Sequence, residues 1–371
     1  MKTTVLSSIG AACLLAITSC AQKPQDELVT FNFAANYDAP DTENPSSVID
    51  LQMALNPELT DSTLISVMSL RGVIDDTYYI FSGDDMHPGR DMAFDADGRC
   101  LVSFSRSGNG PGEYRASRDH WSNAKTKGWM ISTHYDGIFN YTFDGTFTGK
   151  DSIKDVDNIY PRPEGWLGVK GTFTQLPTVF YYYDYGWKLI DSIVTPHINN
   201  VYPFEFNGHT GYMSDRIEIS PSASFDIYAK NDTVYDISSP AEGIKPIVAI
   251  NSDGKRRPAN IDPMSPKAGD YLSYTVYMTK NHAMIMCNCF KDRTLLQIYD
   301  RRDGKLVFSI SNKFTKGRVG LPFEYNGHEY LLYPVNYTTD DRFFLSASSE
   351  VMSEITGDEE ANPALFSIQI K

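Results

Sequence analysis

The chain has 371 residues, of which 41% are hydrophobic and 22% are charged, as in ordinary globular proteins, and it is long enough to bury a large core. Its net charge of −14 leaves no electrostatic reason to bind nucleic acid, which requires basic patches, so nucleic acid is excluded as an expected partner. The 23 Tyr and 20 Phe favour strands, and the composition predicts a β-rich protein.

The first 19 residues have the pattern of a cleaved bacterial signal peptide. Lys2 precedes the apolar run 5–17, which has the length of a signal-peptide core and is too short to span a bilayer. The run ends in Ile17-Thr18-Ser19-Cys20, which resembles a bacterial lipobox. We therefore expect a lipid on Cys20 to anchor the protein in the membrane. The alternative is an ordinary signal peptide with a chance cysteine.

Residues 20–27 are predicted to form a short lipidated tether. Lys23 is followed by Asp26 and Glu27, a pattern that resembles the surface-export signals of some Gram-negative lipoproteins. The predicted location is the outer membrane, either on the cell surface or on the periplasmic face. Residues 28–371 are expected to form one folded domain.

Short β-rich runs recur beyond the tether, separated by turns that contain Asp and Gly. Such turns suit hairpins because Gly and Asp tolerate positive φ. The turn glycines are Gly98, Gly145, Gly186, Gly254 and Gly304. A unit of about 40 to 55 residues, repeated six or seven times, is typical of a β-propeller. A β-helix would have a shorter period, and a pair of β-sandwiches would not explain the spaced hairpins.

A second repeat and the strand pattern give a blade map. Pro203-Phe-Glu-Phe-Asn-Gly-His209 returns as Pro322-Phe-Glu-Tyr-Asn-Gly-His328. The first of the six blades is predicted to begin with the strand 65–70, and the fourth includes residues 212–214. Blades 2 and 3 are predicted with three strands each, the first strand being 129–133 in blade 2 and 166–170 in blade 3. Blade 5 is predicted with four strands, at 271–277, 283–289, 294–299 and 305–310. The sixth blade lacks one strand, which an N-terminal run such as 28–33 would supply. That strand would close the ring and remove exposed sheet edges.

The glycine-rich stretch after the first blade is predicted to be a structural crossover. A glycine-rich loop can bind an anion through its amides, but here a proline removes one donor and no Lys-Ser or Lys-Thr pair follows. We expect the Glu side chain to accept hydrogen bonds from nearby amides. The loop residues are Gly108, Gly110, Pro111, Gly112 and Glu113.

Three segments resemble the TolB-like six-bladed β-propeller lipoproteins of Gram-negative bacteria. They are residues 94–114, 230–237 and 362–371. The resemblance implies six blades and a lipid-anchored envelope protein. It supplies no catalytic residues.

Motifs for metal or nucleophilic chemistry do not stand out in the sequence. The seven histidines never pair at i,i+2 or i,i+4, and Asp95–Gly98 is too short for an EF-hand. There is no Gly-x-Ser-x-Gly elbow. Cys100, Cys287 and Cys289 are expected to be buried as small apolar residues. We therefore expect no cofactor and no metal.

A dense aromatic cluster gives the one clue to binding. Alternate members of a strand face opposite sides, and exposed aromatic faces bind sugars or proteins. The candidates are Tyr181, Tyr183, Tyr185 and Trp187. The alternative is that they pack between blades. We expect a non-enzymatic protein that binds a protein, peptide or glycan on one propeller face. A glycan hydrolase or lyase with carboxylates in the central channel, or a structural envelope component, are the alternatives.

Overall fold

The computed structural model describes residues 28–84, 87–133, 136–153, 156–170, 178–194, 201–206, 209–214, 218–219, 226–228, 232–256, 266–289, 293–313 and 320–371. Their regular structure is β-sheet apart from two short α-helices and a 3₁₀ turn at Pro266–Asp270. The strands form six blades in chain order around one axis. The prediction of an all-β, six-bladed propeller is confirmed.

The N-terminal elements precede the first three blades. They are β1 (Val29–Phe31), α1 (Pro45–Val48) and β2 (Ile49–Leu55). Blade 1 consists of β3 (Met68–Ile74), β4 (Thr77–Asp84), β5 (His87–Phe94) and β6 (Cys100–Phe104). Blade 2 consists of β7 (Ser117–Asn123), β8 (Gly128–Thr133), β9 (Ile138–Thr142) and β10 (Phe147–Asp151). Blade 3 consists of β11 (Asn158–Arg162), β12 (Gly165–Lys170), β13 (Val179–Tyr183) and β14 (Leu189–Val194).

A separate hairpin precedes the last three blades. It consists of β15 (Val201–Phe206) and β16 (His209–Ser214). Blade 4 consists of β17 (Glu218–Ile219), β18 (Asp226–Tyr228), β19 (Thr233–Asp236) and β20 (Lys245–Ile250). Blade 5 consists of β21 (Ser273–Met278), β22 (His282–Cys289), β23 (Arg293–Asp300) and β24 (Leu306–Lys313). Blade 6 contains β25 (Leu321–Tyr325), β26 (His328–Thr338), β27 (Arg342–Ala347), α2 (Ser349–Thr356) and β28 (Ala364–Ile370).

An N-terminal strand closes the ring, as predicted, but it is β2 and not the run 28–33. β2 pairs antiparallel with the C-terminal strand β28, from Ile49 opposite Ile370 to Leu55 opposite Leu365. The run 28–33 contains β1, which instead pairs in parallel with the outer strand β20 of blade 4. The contacts of Phe31 hold β1 beside blade 4, because this side chain is fully buried and stacks on Tyr299 of blade 5.

The segment between β1 and β2 crosses the outer part of blade 5. The side-chain amide of Gln297 donates to the Asn36 carbonyl at 2.6 Å. The Thr42 amide donates to the Ser309 carbonyl at 2.8 Å. The N-terminal segment therefore fastens blades 4, 5 and 6 to one another before its last strand completes blade 6.

The blade map needs two corrections. Residues 212–214 were assigned to blade 4, but they lie in β16, within the separate hairpin. The inner strands β7 and β11 were missing from the predicted blades 2 and 3. β7 is rich in polar residues and β11 contains a proline, so neither has the alternating pattern that marks a strand in a sequence.

The repeated seven-residue sequence folds as a hairpin at both positions. Phe206 pairs with His209 in one copy, and Tyr325 pairs with His328 in the other. The second hairpin runs directly into the inner strand of blade 6, because β26 pairs first with β25 and then with β27. Each hairpin thus precedes an inner strand, in blades 4 and 6. The repeated sequence therefore corresponds to the same added hairpin before the inner strand of two different blades.

Four of the five Asp-Gly turns join the last two strands of a blade, and those at Gly98, Gly145 and Gly304 also pack on a neighbouring blade. Gly98 has φ +83°, and a Cβ there would lie 1.9 Å from the carbonyl oxygen of Asn56, just after β2. A Cβ on Gly304 would lie 2.4 Å from the carbonyl oxygen of Thr30. Gly254 was predicted to lie in a hairpin turn, but its turn follows the outer strand of blade 4 and does not connect two paired strands.

The turn between β23 and β24 of blade 5 begins at Asp300, and we expect this residue to make the stability of the protein depend on pH. Asp300 accepts hydrogen bonds from the side chain and the amide of Arg302, and these lower the Asp300 pKa to about 2. A lowered carboxyl pKa stabilises the fold above about pH 4, and this contribution disappears as the pH falls towards 2. Asp300→Asn should therefore reduce the free energy of unfolding by roughly 1 kcal/mol at pH 7.

Urea unfolding at several pH values checks this prediction. The difference between wild type and Asp300→Asn should shrink between about pH 4 and pH 2. Asp61→Asn, at an exposed turn position, is the matched control and should change little. A constant difference across the pH range would contradict the assignment.

Candidate functional site

The innermost strands of the blades surround the propeller axis. They are β3, β7, β11, β17, β21 and the second half of β26. Strand β7 contacts both β3 and β11, and β26 contacts both β3 and β21. In a propeller these strands form the wall of a central channel, where side chains from several blades meet. Polar side chains on these strands are therefore the main candidates for a binding site.

Two arginines on adjacent inner strands occupy β-bulges. Arg71 is the extra residue in the register of β3, between Leu70 and Gly72. Arg118 is the extra residue at the start of β7 in the next blade. A bulge redirects the side chain of its extra residue, and bulges are common next to functional sites.

The Arg71 guanidinium lies against aromatic rings from two blades. Its central carbon is 5.1 Å from the ring centroid of Trp121 and 5.9 Å from that of Phe81. Tyr160 of blade 3 lies beside Trp121, with ring centroids 6.1 Å apart, and its charge interacts with that of Arg71. A side chain of blade 1 that approaches blade 3 must cross the inner end of blade 2. The guanidinium therefore lies at the wall of the central channel.

The hydrogen-bond donors of Arg71 have no protein acceptor in the described part of the chain. Its Nε is buried without a partner, whereas the two terminal nitrogens keep accessible surface. Burial lowers the pKa of the guanidinium, and the nearby carboxylates of Asp119 and Asp91 oppose that shift. An arginine still carries its charge under these conditions, because a guanidinium is a very strong base.

The Asp119 carboxylate joins blades 2 and 3. It accepts hydrogen bonds from the Ser132 hydroxyl at 2.9 Å, the Ile159 amide at 3.0 Å and the Asn158 side chain at 3.3 Å. Burial raises the pKa of Asp119, and these hydrogen bonds oppose the rise. Because its oxygens already accept three hydrogen bonds, Asp119 is near Arg71 without pairing with it.

A buried carboxylate–imidazole pair joins blades 1 and 2. His120 Nδ1 lies 2.9 Å from Asp91 Oδ1, and the two residues are 1% and 0% exposed. The His120 ring stacks on Phe81, with ring centroids 3.9 Å apart, and meets the Tyr114 ring edge-on. The remaining nitrogen, His120 Nε2, is buried and has no hydrogen-bond partner. The Asp91–His120 pair is therefore part of the buried core, and a dissolved substrate cannot reach it.

The wall of the channel in blades 1 to 3 thus combines one unpaired cation with carboxylates that are already hydrogen-bonded. We call Arg71, Phe81, Asp119, Trp121 and Tyr160 the channel cluster. The Arg71 fork can donate to a planar pair of oxygens, which is the arrangement that a guanidinium recognises best. The channel cluster can therefore bind a ligand through an oxygen-bearing group.

The predicted crossover loop is organised around Glu113. The Gly110 amide donates to Glu113 Oε2 at 2.7 Å, and a Cβ on Gly108 would lie 2.0 Å from the same oxygen. Pro111 is exposed at the tip, and the Gly112 carbonyl accepts a hydrogen bond from Tyr141 Oη at 2.7 Å. The loop amides therefore bind the protein's own carboxylate and carbonyl groups.

Gly112 is the most constrained glycine of this loop. It has φ +73°, and a Cβ there would lie 2.6 Å from Cγ of Phe147. Gly112→Ala should therefore reduce the free energy of unfolding by about 2 kcal/mol, because it combines left-handed strain with a clash. Gly149→Ala, where a Cβ would meet nothing within 4 Å, should change stability by less than about 0.5 kcal/mol. Thermal unfolding of both variants measures the contrast; equal losses would contradict it.

The aromatic cluster lies mainly in the seam between blades 2 and 3. Tyr183 and Trp187 are buried, and Trp187 stacks on Trp166 with ring centroids 5.0 Å apart. Tyr185 is partly buried and donates to the Pro163 carbonyl at 2.8 Å, and Tyr181 is partly buried beside Tyr183. Ligand contact stays a prediction for the two partly exposed tyrosines.

The sequence did not predict the channel cluster. Arg71 directly follows the predicted strand 65–70, and no sequence pattern marked it, although the observed strand β3 continues through it to Ile74. Asp119 and Trp121 belong to β7, which was not predicted as a strand. Their approach to Arg71 depends on the packing of successive blades.

The described residues also bear on metal binding, membrane spans and the cysteines. Within them, no group of three or more His, Cys, Asp and Glu side chains could hold a metal ion. No helix in the same ranges is long and apolar enough to cross a membrane. Cys287 is buried as predicted, but Cys100 is only partly buried, and neither forms a disulfide within the described ranges. Cys20 and the side chain of Cys289 lie outside what the structure describes.

The family model called Domain of unknown function (DUF4934) matches residues 28–369. The chain belongs to this family. No curated protein matches the sequence of this DUF4934 propeller.

Two solved structures of Bacteroides proteins share the fold. One, described as an exported protein of Bacteroides fragilis NCTC 9343, is 16% identical with a TM-score of 0.63, covering 92% of this chain and 99% of its own. The other, a DUF4221 member of Bacteroides vulgatus ATCC 8482, is 8% identical with a TM-score of 0.54, covering 87% and 99%. At these identities the likeness is one of fold alone.

Proposed function

We propose that this protein is a non-enzymatic binding protein of the bacterial cell envelope, with its ligand held at the central channel of the propeller. The observation that carries the proposal is Arg71, a cation in the channel wall whose donors have no protein acceptor among the described residues. Buried polar groups are nearly always hydrogen-bonded, and a guanidinium at a channel wall with no protein acceptor can bind an oxygen-bearing ligand. A ligand that supplies acceptors would satisfy it.

The envelope location rests on the N-terminal sequence. The Ile17-Thr18-Ser19-Cys20 motif and the polar tether 20–27 support a lipid anchor in the outer membrane. The resemblance to TolB-like lipoproteins supports this location, as does the description of the Bacteroides fragilis protein as exported. Rigid propellers commonly present binding surfaces on one face, through loops and channel-lining residues.

Cys20→Ala tests the anchor directly. The variant should lose metabolic labelling by a palmitate analogue and leave the membrane fraction. Ser19→Ala keeps a small residue before the cysteine and should remain in the membrane. Retention of the Cys20→Ala protein in the membrane fraction would show that the lipobox interpretation is wrong.

Ligand capture tests the binding role. Tagged wild-type protein should retain a ligand from the envelope of the producing cell, and Arg71→Met should lose it while unfolding at a similar temperature. Arg99→Met is the matched control, because Arg99 is exposed in the blade 1 turn. Equal capture by wild type and Arg71→Met would reject the channel as the site.

The same experiment separates binding from catalysis. A glycan hydrolase needs two carboxylates at the scissile bond. Asp91 and Asp119 are near Arg71, but each is already bound to protein groups. The binding proposal expects the captured ligand to be released unchanged. Release of a cleaved product, and loss of cleavage in Asp119→Asn, would replace it with the hydrolase or lyase alternative.

A further inference from the structure

The channel cluster has the features of a site for one specific chemical group. We propose that Arg71 binds the carboxylate of a peptide or protein segment that enters the central channel at blades 1 to 3. This inference rests on the proposed function and names the ligand class of the same site. Three features favour a carboxylate of this kind: the hydrogen-bond donors of Arg71, the charges around it, and the aromatic rings that it covers.

The geometry of Arg71 favours a planar acceptor. Its Nε is buried, so the contact is left to the two terminal nitrogens, which keep accessible surface. This edge of the guanidinium matches the two oxygens of a carboxylate. The guanidinium is also held against Trp121 and Phe81, so little side-chain freedom is lost when the ligand binds.

The neighbouring charges favour a monoanion over a dianion. Two carboxylates, Asp119 and Asp91, act on the Arg71 charge without contacting it. A phosphate carries between one and two negative charges at neutral pH and would be repelled by both acids. A carboxylate carries one charge and matches the one unpaired cation.

The aromatic rings favour a peptide over an acidic sugar. Sugar sites use exposed aromatic faces, on which the ring of the sugar lies. Here the Trp121 ring is 4% exposed and faces the Arg71 guanidinium. No open face remains on Trp121 for a sugar. A carboxylate at the end of a peptide, or on an acidic side chain, needs only the donor edge of Arg71.

Calorimetric titration of the full-length protein in detergent, at constant ionic strength, tests the proposal. N-acetylglycine is the probe for a peptide carboxylate, glucuronate the probe for an acidic sugar, and inorganic phosphate the dianionic probe. N-acetylglycine should bind saturably and more tightly than the other two. Arg71→Gln should weaken it by about tenfold or more, and Arg71→Lys should also weaken it, because lysine keeps the charge and loses the fork.

Arg99→Gln is the control and should bind N-acetylglycine as wild type does. Tighter binding of phosphate or glucuronate, unchanged binding in Arg71→Gln, or no saturable binding by wild type would each overturn the proposal. These outcomes are distinct from failure of ligand capture. A captured ligand without a carboxylate, still lost in Arg71→Met, would keep the binding function and reject only the carboxylate.

Discussion

Replacing Leu55 with aspartate should open the propeller ring. Leu55 ends β2, is 1% exposed and packs with Leu365, Phe344 and Ile65 between blades 6 and 1. The substitution removes a buried leucine and places a carboxylate in the same apolar site. The expected loss exceeds about 5 kcal/mol, which is comparable with the total stability of many proteins.

Gln52→Asp is the matched control, since it introduces the same charge into the same strand at an exposed position. It should change the free energy of unfolding by less than about 1 kcal/mol. Urea unfolding followed by tryptophan fluorescence compares the two variants. A cooperative transition for Leu55→Asp at the wild-type midpoint would mean that β2 does not hold the ring closed.

Removing the carboxylate of Asp91 should have the second largest effect. Asp91→Ala would leave His120 Nδ1 without a partner, beside an Nε2 that already has none. Breaking a buried pair of this kind costs about 3 kcal/mol or more, because the remaining group stays buried and unpaired. Blades 1 and 2 would lose this buried polar contact, and the thermal unfolding temperature should fall by several degrees.

A double-mutant cycle gives the control for this pair. His120→Leu replaces the imidazole by an apolar side chain, so Asp91→Ala in that background should cost less than it does alone. Asp97→Ala, in the exposed turn of the same blade, should change stability by less than about 0.5 kcal/mol. Additive losses would show that Asp91 and His120 do not act as a pair.

The fold class could be predicted because its signals are local. The turn at Phe94–Gly98 was identified from Asp and Gly in one short segment, and a hairpin does form there, with the Gly98 amide donating to Asp95. The strands of blade 5 were also correct, because each is a continuous run of apolar and β-branched residues. Local patterns of this kind do not depend on which blade lies beside which.

The errors arose where a strand is defined by its neighbours. β7 reads as Ser-Arg-Asp-His-Trp-Ser-Asn, and its polar side chains are buried because adjacent blades supply their partners. The run 28–33 was predicted to close the ring, and only the observed pairing of β2 with β28 shows that the later strand does so. A sequence pattern does not show which edge of a sheet is available.

The sequence by itself determined the repeated hairpin, the six-bladed architecture through its resemblance, and the glycine-rich crossover with Glu113. The tertiary structure decided which N-terminal strand closes the ring and brought Arg71, Asp119 and Trp121 together. The physical reason is that turns and strands are set by residues close in the chain, whereas the channel wall is set by packing between blades. An arginine without an acceptor is visible only once all three inner strands are in place.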